Sequence, residues 1–198
     1  MSCDASAVLA ALQAKAMETQ DREVLGGALV DAIARELPQA SWVGIYWQHG
    51  QELRLGPFHG AETEHVRITF GAGVCGAAAA AAEDQLVVDV RGLENYLACA
   101  ADVRSELVVL IRSRGEVVGQ IDLDAREVGA FDEDDLCIVR AIADGFGGLV
   151  PPRPFESDSD SPATDAAPRN ATRAAARIWS RSRTRPTPPA IPGTTGGS

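Results

Sequence analysis

Two cysteines and three carboxylates within about fifty positions of this chain are of the right types and spacing to do chemistry. Cys75 lies in the turn Gly71-Ala72-Gly73-Val74-Cys75-Gly76, Cys99 follows Leu97-Ala98, and Glu106, Asp122 and Asp124 come after them. Thiols combined with carboxylates at these spacings suggest redox chemistry on a small charged substrate. Side chains alternate along a strand, so Asp122 and Asp124 share one face about 7 Å apart, while Ile121 and Leu123 take the other. Glu106 opens the preceding strand of the same proposed hairpin and can join them, with the register left open by the sequence. Three acids around a pocket can hold a substrate ammonium. Their mutual repulsion and partial burial can also keep one of them protonated as a general acid. The competing reading is a solvated acidic strand face, because exposed acids are common.

Local physics ranks the thiols. Cys75 lies where a glycine turn meets an expected helix N-terminus, and there the helix dipole favours the thiolate. Cys99 sits among Leu97, Ala98, Ala100 and Ala101, surroundings that fit a buried inert cysteine as well as a reactive one. Cys137, between Leu136 and Ile138, reads as core packing, and Cys3 as a terminal thiol. No CxxC pair occurs, and His65 has no second His or Cys at ligand spacing, so no metal site is expected.

The elements that must position these groups can be read from periodicity. Ala5 to Leu37 carries apolar residues at helical spacing, and Asp21 is placed to cap the second of two amphipathic helices. Trp42 to Trp47, Glu52 to Phe58, Val66 to Phe70 and Leu86 to Val90 read as strands, the first two joined at His49-Gly50. Ala77 to Glu83 reads as a short crossing helix. Glu106 to Ile111 and Glu116 to Asp124 flank the hairpin turn Arg112-Ser113-Arg114-Gly115, and Asp132 with Asp135 opens a closing helix. Helices around antiparallel strands make an α+β layer fold.

Composition bounds the rest. Nine of the eleven prolines follow Val150, so residues 1–150 are expected to form one domain and residues 151–198 a disordered Pro/Arg-rich tail. The tail holds seven Arg against four acids, which leaves the body with 11 basic and 24 acidic residues, a net charge of −13. Such a body repels phosphate backbones, so no nucleic-acid partner is expected. No apolar run approaches a membrane span and no leader is evident, which points to a cytoplasmic protein with reduced thiols.

An ordered set of segments resembles a known family. Trp42-Val43-Gly44-Ile45-Tyr46, Gly56-Pro57-Phe58-His59-Gly60, Phe70 to Gly76, Leu97-Ala98-Cys99, Ser105-Glu106-Leu107-Val108-Val109, Asp122-Leu123-Asp124 and Phe131-Asp132 are similar to the free methionine (R)-sulfoxide reductases, which are single GAF domains. The resemblance runs from about residue 5 to residue 150. It implies a central antiparallel sheet flanked by helices, a homodimer, and a buried pocket that reduces free methionine-(R)-sulfoxide, with thioredoxin or another thiol as external reductant and no bound cofactor. It further implies that Cys99 attacks the sulfoxide sulfur and becomes a sulfenic acid. Glu106, Asp122 and Asp124 would orient the sulfoxide and ammonium groups, and Trp42 and Tyr46 would form the aromatic wall. Local physics therefore selects Cys75 as the reactive thiol and the resemblance selects Cys99.

The chain also departs from the family's pattern. Where the resemblance implies a resolving cysteine, ten positions before Cys75, stands His65. The flank Tyr96-Leu97-Ala98-Cys99-Ala100 replaces a common His-Ile-Ala-Cys-Asp, and Leu110 replaces a usual proline. Three outcomes stay open: Cys75 resolves Cys99, an external thiol reduces the sulfenic acid, or a non-catalytic GAF domain binds a small amino-acid-like ligand.

Overall fold

A computed structural model describes residues 4–93 and 102–150. Cys3, Cys99 and the expected tail over 151–198 lie outside the described residues. Along the chain come α1 (Ala5–Ala16), α2 (Arg22–Glu36), β1 (Trp42–His49), β2 (Glu52–His59), β3 (Arg67–Thr69), α3 (Gly73–Ala81), β4 (Gln85–Val87), β5 (Ser105–Ser113), β6 (Glu116–Ala125) and α4 (Glu133–Gly147).

Helices α1, α2 and α4 begin where a side chain can serve the unpaired N–H groups of the first turn. Asp4 accepts from Ser6 and Ala7, and Asp21 accepts from Glu23. At α4, Asp132 and Asp135 form the full capping box. Helix α3 differs from expectation: it begins at Gly73, four residues before Ala77, and its N-cap Ala72 offers no side chain. The Gly71 N–H instead donates to the Gly76 carbonyl at 2.7 Å, which closes the glycine turn on the helix's first residues. A Cβ at Gly76 would stand 2.5 Å from the Thr69 carbonyl oxygen, so the close approach needs glycine there.

The strands form one antiparallel sheet in the order β3-β2-β1-β6-β5-β4. β5 and β6 join through Arg114-Gly115, both at positive φ (53° and 86°), the backbone of a two-residue hairpin turn. β4 is shorter than the expected Leu86 to Val90, because Val90 leaves the sheet in one 3₁₀ turn whose N–H donates to the Arg104 carbonyl.

The period of two divides the sheet. Val43, Ile45, Trp47, Leu107, Val109, Ile111, Ile121 and Leu123 face α1, α2 and α4 and form the main core with Leu25, Leu29, Ile33, Val139, Ile142 and Phe146. Each fully buried large apolar side chain there contributes about 1.5–3 kcal/mol of transfer free energy. The opposite face packs against α3 in a second, smaller core containing Trp42, Tyr46, Val74, Cys75, Ala78, Val108 and Leu110. One cysteine departs from its expected place: Cys137 is exposed, because Leu136 and Val139 take the inner face of α4 and position 137 turns outward.

Candidate active site

The register of the three central strands assembles the polar residues. On the α3 side, Glu106 of β5, Asp124 of β6 and Trp42 of β1 lie opposite one another in one row. The next row is Val108, Asp122 and Gly44, and the one after is Leu110, Gln120 and Tyr46. The face is sealed rather than solvated: Glu106 is 2% exposed, Asp122 0% and Asp124 1%. The reading of a solvated acidic strand therefore does not hold.

Helix α3 brings the Cys75 sulfur over this floor. Sγ of Cys75 and one oxygen each of Glu106 and Asp122 all lie within 4.8 Å of one another. Thiol and carboxylates at that spacing could hold a metal ion, a grouping the sequence reading, which expects no metal, had no means to anticipate because the fold alone joins it. Cys99 lies outside the described residues.

Aromatic side chains wall the floor. Trp42 stacks on Phe58, with ring centroids 5.8 Å apart, and lies 6.3 Å from Tyr46. Both wall residues donate to the segment between β2 and β3: Trp42 Nε1 to the Ala61 carbonyl and Tyr46 Oη to the His65 carbonyl, each at 3.0 Å. The segment carrying His65 is thereby tied to the aromatic wall through its backbone. The His65 side chain is half-buried. Gly44 makes the arrangement possible, since a Cβ there would stand 2.1 Å from Cη2 of Trp42. The indole lies across the space that any other residue would fill.

Burial dominates the electrostatics. It drives Glu106 well above the ordinary carboxylate range, and the charges of Asp122 and Asp124 and a hydrogen bond with Asp122 push in the same direction. Burial also raises Asp124 well above its ordinary value, aided by the charges of Asp122 and Asp102. Asp122 is pushed up to about 7 by burial, against the opposing pull of the Cys75 thiol and the Glu106 carboxyl. Asp122 Oδ1 and Oδ2 and Asp124 Oδ1 have no hydrogen-bond partner of standard geometry among the described residues. With Glu106 protonated and Cys75 a thiol, both become donors directed at Asp122, and this proton-sharing arrangement describes the trio better than three separate carboxylates. No arginine or lysine among the described residues pairs with these acids. Such a site can deliver a proton near neutral pH and can neutralise a bound cation.

Sequence reasoning missed two members of this face. Gly44 sits between Trp42 and Tyr46 at the same strand parity, and Gln120 continues the stripe of Asp122 and Asp124. In both cases the alternation that placed their neighbours was a sufficient signal.

Comparison with known proteins relates the chain to a family of domains. Residues 19–149 match the family model of the GAF domain. The chain is 41% identical to the protein YtsP of Bacillus subtilis over 101 residues, 50% of this chain and 61% of that one. It is 35% identical over 108 residues to the free methionine-R-sulfoxide reductase of Escherichia coli, covering 54% of this chain and 65% of that one. It thus spans under two thirds of the length of these curated relatives. The X-ray structure of the free methionine-R-sulfoxide reductase of Neisseria meningitidis in complex with its substrate superposes with a TM-score of 0.66 at 30% identity, over 72% of this chain and 85% of that one.

Proposed function

The chain belongs to the GAF domain family, and on that premise we propose that it reduces free L-methionine-(R)-sulfoxide to methionine. The observation that carries the reading is the sealed floor of Glu106, Asp122 and Asp124 beside the Cys75 sulfur and under Trp42 and Tyr46. A small zwitterion is the kind of ligand that suits it: the ammonium compensates buried negative charge and a thioether side chain suits an aromatic wall.

In this reading the Cys99 thiolate attacks the sulfoxide sulfur while a protonated carboxyl of the trio, Glu106 or Asp124, gives its proton to the sulfoxide oxygen. Collapse of that adduct moves the oxygen to the cysteine and yields methionine and a Cys99 sulfenic acid. Attack by the Cys75 thiol then forms a Cys75–Cys99 disulfide and releases water, and thioredoxin or another dithiol supplies the two electrons that restore both thiols. Cys99 takes this role from the family resemblance of the segment Leu97-Ala98-Cys99.

The second reading, a GAF domain that binds an amino-acid-like ligand without turnover, is favoured by one observation. His65 stands where the family resemblance puts a resolving cysteine, so regeneration depends on Cys75 or on an outside thiol. Turnover of the (R) and (S) isomers by the wild type, Cys99→Ser and Cys75→Ser, each with thioredoxin recycling or dithiothreitol, separates the readings. (R)-selective activity abolished in Cys99→Ser supports the enzyme, and loss in Cys75→Ser with thioredoxin alone assigns Cys75 as resolver. No turnover with either reductant, alongside binding of the sulfoxide, selects the binding domain.

A further inference from the structure

Gln120 is fully buried on the same strand face as Asp122 and Asp124, between Tyr46 on β1 and Leu110 on β5. Among the described residues neither its Nε2 nor its Oε1 has a hydrogen-bond partner. An amide sealed without partners costs stability, and an apolar residue of the same volume would relieve that cost. Packing therefore does not account for an amide at this position. Other polar groups of the face have partners: Trp42 and Tyr46 donate to the Ala61 and His65 carbonyls, and the Glu106 carboxyl is hydrogen-bonded with Asp122. Asp122, an acceptor with lone pairs beyond those that Glu106 and Cys75 address, and its strand neighbour Gln120 are left to meet a ligand's donors.

We propose that Gln120 is a ligand-binding residue whose Oε1 shares with Asp122 the primary ammonium of a free amino acid. Residues two apart on a strand face stand about 7 Å apart. An ammonium nitrogen between them, about 2.8 Å from each oxygen, spans most of that gap and has donors for both. A neutral amide supplies the second acceptor without adding a fourth negative charge to a face that already holds three acids. The assignment rests on the reading that this pocket takes a free amino acid, and it adds the residue that selects for the free amino group.

The test is thermal unfolding of the full chain with and without L-methionine-(R)-sulfoxide, together with steady-state kinetics, for the wild type, Gln120→Met and Gln120→Leu. Both variants are expected to melt no lower than the wild type without ligand and to lose the ligand-induced rise in Tm. Their KM should increase about tenfold while kcat stays within about threefold, the split expected when ground-state binding is removed. Variants that keep the wild-type KM and ligand-induced rise overturn the assignment of Gln120 alone. A lowered Tm without ligand at unchanged KM also overturns it, by showing the amide to be structural. A wild type that neither turns over nor is stabilised by the sulfoxide overturns the functional reading and this inference together.

Discussion

Glu106 and Asp124 stand directly opposite each other on adjacent strands, both nearly inaccessible to solvent. Two carboxyls in that relation cannot both ionise cheaply, because like charges are paired with no solvent to screen them. The ligand-free site is therefore a store of protons, and its stability depends on pH with a determinate sign.

For a carboxyl whose folded pKa is raised, the folded state binds the proton more tightly than the unfolded state does. The stability it contributes is complete below the ordinary carboxylate range and is lost as pH rises through the folded value. Asp122 at about 7, and Glu106 and Asp124 well above their ordinary range, put that loss across neutrality. Without ligand the Tm is expected to rise by several degrees on going from about pH 8 to about pH 5.5, reflecting on the order of a few kcal/mol. Asp122→Asn should flatten the slope and raise the Tm at the alkaline end. A Tm that falls on acidification over this interval would contradict the assignment.

If Asp124 takes part in proton delivery, Asp124→Asn should reduce kcat by about 10²–10⁴-fold while leaving the ligand-free protein at least as stable. Turnover and thermal unfolding on the same preparation decide this. An inactive variant that has also lost its cooperative unfolding transition would show a structural role instead.

Gly44→Ala places a methyl group where the Trp42 indole lies. The ring must swing away from the Asp122 row, at a cost of about 1–3 kcal/mol in stability. Tryptophan fluorescence should report the altered indole environment, and KM should rise more than kcat falls.

Arg114 adopts positive φ at the first position of the β5–β6 turn, before Gly115. Asparagine tolerates that conformation better than arginine does. Arg114→Asn is expected to stabilise the protein by about 0.5–1 kcal/mol and to leave turnover unchanged, since the turn lies outside the pocket. Denaturant midpoints and initial rates test both halves of the statement.

The chain carried its local structure openly. The 3.6-residue spacing from Leu25 through Leu29 to Ile33, the caps Asp21 and Asp132, and the two-residue turn before Glu116 are all settled within a few residues, so they could be read without a partner strand. The same locality placed Asp122 and Asp124 on one face and Trp42 and Tyr46 on another strand's face, because alternation is a property of any extended chain. Where local order was subtler, reading failed: α3 starts at Gly73 through a backbone turn rather than a capping side chain, and Cys137 points outward though flanked by apolar residues. What the tertiary structure alone decided is register and burial. Whether Glu106 meets Asp124, whether the Cys75 sulfur comes over Asp122, and whether the acidic face is sealed by α3 all depend on contacts between residues distant in sequence. A shift of one residue between β5 and β6 would turn Glu106 into the opposite core. Composition and periodicity carry no term for that choice; it is made by packing both faces of the sheet at once.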